Sequence, residues 1–154
     1  MMRVLRALVE PGLTYRFYLE IGGLAVAEFT ELEGISAERE VKTYEEGGIN
    51  DRVLMFPGRM KYANIVLKKG ITWSPLLWVW FQEGLYTGKV KRLNLSIILG
   101  NPFGMRLKQW DVINAFPIKY RNSDLKAEAN EIAIETLELA HEGISLGLLP
   151  KSPV

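Results

Sequence analysis

His141 is the single histidine of this chain, and the nearest hydroxyl in sequence is Ser145. A nucleophilic triad would need a second acid and a serine brought together from afar, so a structural role suits His141 better. Glu131, Glu135, Glu138 and Glu142 form an acidic stripe, but acid–base or metal chemistry needs such carboxylates to converge in a cleft. A wetted face explains the stripe without chemistry. Arg59, Lys61, Lys68 and Lys69 could touch phosphate, yet no stacking aromatics are interleaved with them; ion pairs with a neighbouring subunit fit better. Gly47 and Gly48 lack the lysine–serine or lysine–threonine that a phosphate-binding loop places after its glycines, and read as a turn. Trp73, Trp78, Trp80 and Phe81 could line a ligand pocket, but aromatic residues at such spacing more often anchor a core or a subunit interface.

Bulk composition narrows the classes further. The 154 residues carry a net charge of +1, which supplies no strong field for nucleic acid or an anionic membrane. Zero cysteines remove disulfides and thiolate metal sites, and one histidine removes a multi-histidine site; we expect no metal and no cofactor. With 48% apolar and 24% charged residues, the chain can build a packed core as one domain. Met1–Val9 lacks the long apolar run of a signal peptide, so residues 1–12 read as an N-terminal arm.

The elements that would position these residues are mostly strands. Tyr15–Ile21 alternates apolar and polar residues, Gly22-Gly23 reverses the chain, and Leu24–Leu32 returns as a hairpin partner. Gly34–Tyr44 alternates weakly and suits a solvated wall. Residues 44–59 read as a projecting loop: Arg52–Phe56 is a short apolar run closed by Pro57-Gly58, and such residues ask for something to pack on. Lys61–Thr72 and Val90–Leu99 read as strands. Asn101–Gly104 is a turn, followed by Met105–Ile113 and Asn114–Arg121, where Pro117 marks an edge or a bulge.

Trp73–Gly84 is the exception. Ser74 can cap a helix, Pro75 suits its first turn and Gly84 its end, while Leu76, Leu77, Trp78, Val79, Trp80 and Phe81 make it apolar nearly all round. Such a helix needs cover on nearly every side, from its own sheet and from a neighbour. Ala127–Gly143 is ambiguous: its Ala, Glu and Leu content favours a helix, while Ile132–Leu139 also fits a period of two. Residues 144–154 read as a Pro-bearing tail.

Several phrases resemble a known family in the right order. These are Gly47–Val53, Phe56–Tyr62, Leu67–Thr72, Trp110 with Asn114–Tyr120, Asp124-Leu125 and Asn130–Gly143. Together, over Leu13 to Gly143, the chain resembles the inner tube protein of contractile phage tails and phage-tail-like injection systems. The resemblance implies a mainly β sandwich or barrel with one main helix at about 74–83. It makes the C-terminal phrase Glu131–His141 a strand. It also implies a structural, non-enzymatic protein that forms hexameric rings stacked into a hollow tube, with strands joined across subunits around the lumen. The implied partners are further copies of the chain, a tail sheath protein, baseplate or tube-initiator and terminator proteins, and DNA or protein cargo. Assembly would occur in the bacterial cytoplasm, without membrane insertion by this chain. On that footing Tyr44, Gly47, Gly48, Asn50, Asp51, Arg52, Met55, Phe56 and Arg59 are candidates for contacts between rings or subunits. Trp73, Leu77, Trp78, Trp80 and Phe81 are candidates for helix core and interface. A baseplate-proximal adaptor tube protein is a sibling alternative; a monomeric β-barrel around a small apolar ligand, lined by the tryptophans, is the rival.

Overall fold

The computed structural model describes residues 15–48, 50–72, 75–83, 85, 87–101, 103–122 and 135–147. Among the described residues, nine strands and one short helix run in the order β1 (Arg16–Ile21), β2 (Leu24–Glu33), β3 (Ala37–Tyr44), β4 (Leu54–Tyr62), β5 (Ile65–Thr72), α1 (Leu76–Gln82), β6 (Leu93–Gly100), β7 (Arg106–Asn122), β8 (Glu135–Ala140) and β9 (Gly143–Leu146). Six strands pair in the cycle β6-β1-β2-β5-β8-β7, and β7 returns to β6, which closes a barrel within one chain. All of these pairings are antiparallel. Closure removes the open edges of those strands without help from another copy.

Alternation along the strands fills the barrel. Leu19, Phe29, Leu67, Ile97, Val112, Leu137 and Leu139 point inward and are fully or almost fully buried. Gly70 leaves room for the Phe29 ring, since a Cβ there would lie 2.2 Å from it. The helix covers one end of this core. Leu77 and Trp80 are buried, and the Trp80 indole N–H donates to the Lys91 carbonyl at 2.6 Å.

β7 is one 17-residue strand bent in the middle, where the sequence suggests two strands meeting at Ile113 and Asn114. Its first half pairs with β6 and β9, its second with β8. Asn114 has φ of 50° at the changeover. Its backbone N–H donates to Asn94 Oδ1, and its side-chain amide donates to Glu142, which also holds Arg92. Pro117 falls at a register shift in the β7–β8 ladder, the bulge expected for a residue without an N–H.

Other expectations need correction. Residues 44–59 are not a single loop: β4 begins at Leu54 and runs through Pro57-Gly58 to Tyr62, paired with β3 along its length. Pro57-Gly58 does not end the strand because the ladder shifts register there, and Gly58 lets the Glu40 backbone come within 2.9 Å of where a Cβ would sit. Residues 144–146 of the supposed tail belong to strand β9 (Gly143–Leu146). Residues 135–140 of the ambiguous C-terminal phrase form a strand; Leu137 and Leu139 fill the core from it, so tertiary packing overrides the local preference for helix. The arm 1–12, Ile49, Trp73, Ser74, Gly84, residues 123–134 and the last residues of the tail lie outside the described residues.

Candidate assembly surfaces

Three surfaces of the described residues stand out, built by three groups of elements. The first is the β3–β4 ribbon, a two-stranded sheet of its own that packs almost wholly against itself. Gly34 makes its departure from the barrel possible: φ is +88°, and an added Cβ would come 1.9 Å from the Asn64 carbonyl oxygen. Cross-strand pairs share a face, so Thr43 with Met55, Val41 with Pro57 and Arg39 with Met60 form one side of the ribbon. That side carries Val41, Met55, Pro57 and Met60 beside Thr43 and Arg39 and is open; Met55 is 71% exposed. Tyr44 and Phe56 expose large rings on the other side. The connecting tip carries exposed Glu45, Glu46, Asp51 and Arg52.

The sequence-predicted contact residues therefore gather on one projecting element. Tyr44 ends β3; Gly47, Gly48, Asn50, Asp51 and Arg52 make the tip; Met55, Phe56 and Arg59 lie in β4. At the root, His141 Nε2 bonds the Ala63 carbonyl oxygen at 2.8 Å and its ring tilts against Tyr62. The single histidine braces the ribbon's junction with the barrel.

A shelf around α1 is the second surface. Leu77 and Trp80 face the core, Phe81 is half-buried, and Trp78 stands beside both Phe81 and Tyr120 of β7. Leu76, Trp78, Val79 and the following Leu85 are exposed, Leu85 by 72%. The expectation of cover nearly all round is met on one side only within a single chain.

The outer wall of β2, β5, β8 and β7 is the third. Glu31 pairs with Lys69 at 2.7 Å, Glu33 with Lys68 at 2.8 Å, and the Asn64 amide donates to Glu138 at 3.4 Å. Lys119 lies directly across from Glu138. The bonded Lys69 ammonium holds the Glu31 carboxyl below its usual value, and Glu33 raises the Lys68 ammonium above its own. On the ribbon, Glu40 likewise raises Lys61. Lys61, Lys68 and Lys69 thus pair within the chain, where the sequence suggested pairing with a neighbour. Glu138 and Glu142 diverge, one to Asn64 and the other to Arg92 and Asn114, so these two members of the acidic stripe do not converge; Glu131 lies outside the described residues.

Two of the open clefts are lined by described residues. One, of about 370 Å³, is lined by Tyr18, Glu20, Ile98 and Arg106; the other, of about 520 Å³, by Ser96, Gln109, Asp111 and Ser145. Neither of these two is lined by a tryptophan. Sequence reasoning missed the polar cluster in the second, where Ser96 donates to Asp111 at 2.8 Å and Gln109 to Asp111 at 2.9 Å. Those residues sit on two neighbouring strands, and only the β6–β7 register brings them together.

The family model for the T4-like virus tail tube protein gp19 matches residues 13–145. The chain belongs to that family. Its fold is the tail-tube fold, and its role is that of a structural inner-tube component of a phage tail or tail-like injection particle. A chain of the PVC extracellular contractile injection system, sheath-tube complex in the extended state, is 24% identical with a TM-score of 0.71, over 95% of this chain and 97% of that one. A chain from the sheath/tube terminator of the same system is 26% identical, TM-score 0.68, over 91% and 99%. A chain from the anti-feeding prophage cap, the tube-terminating cap, is 28% identical, TM-score 0.68, over 90% and 91%. No curated protein sequence matches the chain.

Proposed function

We propose that this tail tube protein forms six-membered rings that stack into a hollow conduit. The observation that carries the reading is the β3–β4 ribbon: a two-stranded sheet alone is marginal in water, and this one exposes Val41, Met55, Phe56 and Met60. A neighbouring copy supplies the cover. Tyr44, Gly47, Gly48, Asn50, Asp51, Arg52, Met55, Phe56 and Arg59 serve the contact between rings, and Trp78 and Phe81 an interface beside the helix core of Leu77 and Trp80. The charge-balanced wall of β2, β5 and β8 suits the lumen, where cargo must slide without a strong field to hold it. Assembly takes place in the bacterial cytoplasm. A sheath, a baseplate-side initiator and a terminator contact the tube, and DNA or protein passes through it without any catalytic step by this chain.

Negative-stain microscopy and light scattering of the purified protein test this. Annular particles and short tubes are expected. A monodisperse single-chain species up to high concentration overturns the reading.

A further inference from the structure

We infer that Met55 and Met60 are modification sites of the unassembled chain: a peroxide oxidises their sulfurs to sulfoxides, and the ribbon side that carries them then stops supporting assembly. The inference rests on the tube reading above, in which a neighbouring copy covers that side.

The sulfur chemistry of this chain is confined to methionine. It has five methionines and no cysteine, so no thiol stands ahead of the thioethers as the target of an oxidant. Among the described residues these are Met55, Met60 and Met105, and the core contains none of them; it is built from Leu, Ile, Val, Phe, Ala and Trp. Oxidation therefore leaves the packing of the barrel intact. What it changes is the ribbon, where Met55 and Met60 share one open side with Val41 and Pro57. The reaction needs only access. A sulfur lone pair attacks one oxygen of hydrogen peroxide, and the O–O bond breaks as the S–O bond forms. The second oxygen leaves as hydroxide and takes the proton of the first, giving water. Sulfur loses two electrons and the peroxide gains them.

The cross-strand neighbours suit the product better than the reactant. Thr43 stands directly across from Met55 and Arg39 directly across from Met60, a pairing that sets Cβ atoms about 4.5–5.5 Å apart. A thioether is a weak acceptor, whereas a sulfoxide is polar and its oxygen accepts readily. The Thr43 hydroxyl and the Arg39 guanidinium are donors within reach of such an oxygen. Arg39 gives one N–H to the Gly58 carbonyl at 3.3 Å and carries four more. Reduced, the methionines favour burial against another copy. Oxidised, they are satisfied by water and by their own ribbon, and the folded chain no longer adds to a tube.

Hydrogen peroxide applied to the purified, unassembled chain tests this, with sulfoxides mapped by peptide mass spectrometry, folding followed by circular dichroism and assembly by light scattering. Sulfoxide at Met55 and Met60 is expected without change of fold, and about tenfold or more protein is then needed to assemble. A Met55→Leu/Met60→Leu variant keeps apolar side chains of similar volume without sulfur and is expected to assemble as well after treatment as before it; Met55→Val/Met60→Val is the second choice. Met105→Leu is the control, because Met105 is 39% exposed against 38% for Met60 but lies beside the β6–β7 turn; it is expected to give no protection. Wild-type protein oxidised at both ribbon methionines that assembles at its untreated concentration overturns the inference and leaves the tube reading standing. So does an equal loss of assembly in the treated Met55→Leu/Met60→Leu variant. Untreated protein that never assembles overturns both.

Discussion

Gly34 decides whether the ribbon can leave the barrel at its observed angle. A side chain there meets the Asn64 carbonyl and must also adopt a positive φ. Gly34→Ala is expected to cost about 2 kcal/mol or more in urea unfolding; an unchanged midpoint would show that the junction relaxes freely. The paired charges on the outer wall and on the ribbon set a pH dependence of definite sign. Glu31 titrates lower in the folded chain than its usual 4.5, so its contribution is present above that value and is lost as pH falls through the folded value. Lys61 and Lys68 titrate above their usual 10.5, so theirs is present below that value and is lost as pH rises through the folded values. Thermal stability of the unassembled chain should therefore be flat near neutrality and fall only slightly at the two extremes, because exposed pairs contribute little. A steep loss between pH 6 and 8 would contradict this assignment.

At the scale of elements, the helix and the bent strand carry the most information. Trp80 anchors α1 through its burial and its bond to Lys91. Trp80→Phe removes that bond and some volume, and is expected to cost about 1–2 kcal/mol in chemical unfolding; no loss would mean that the helix is held by Leu77 alone. The helix was legible because Pro75 and the run Leu76–Phe81 are strong local signals. Its one-sided cover was not, since local sequence gives apolarity but not the partner. Likewise the Ile113–Asn114 break was visible in the sequence, but whether two strands meet there or one strand bends depends on Asn94 and Glu142 from elsewhere in the chain. The β3–β4 pairing was hidden by Pro57-Gly58, which ends most strands and here sits at a register shift. β9 is four residues long, and its pairing with β7 is purely tertiary.

For the whole molecule, the closed barrel and the open ribbon divide the labour. The barrel pairs its own strands and buries its own core within one chain. Among the described residues, the ribbon and one flank of the helix carry much of the exposed apolar surface, with Leu24 and Phe103 exposed elsewhere, and the ribbon and helix flank are the surfaces the proposed assembly would cover. Amide hydrogen exchange, compared between dilute single chains and assembled protein, tests this division most directly. The account predicts that amides of Ala37–Tyr44 and Leu54–Tyr62 exchange far faster than those of β5 and β6 in the single chain, and become protected on assembly. Ribbon amides as protected as the barrel strands in the single chain, with no change on assembly, would contradict it.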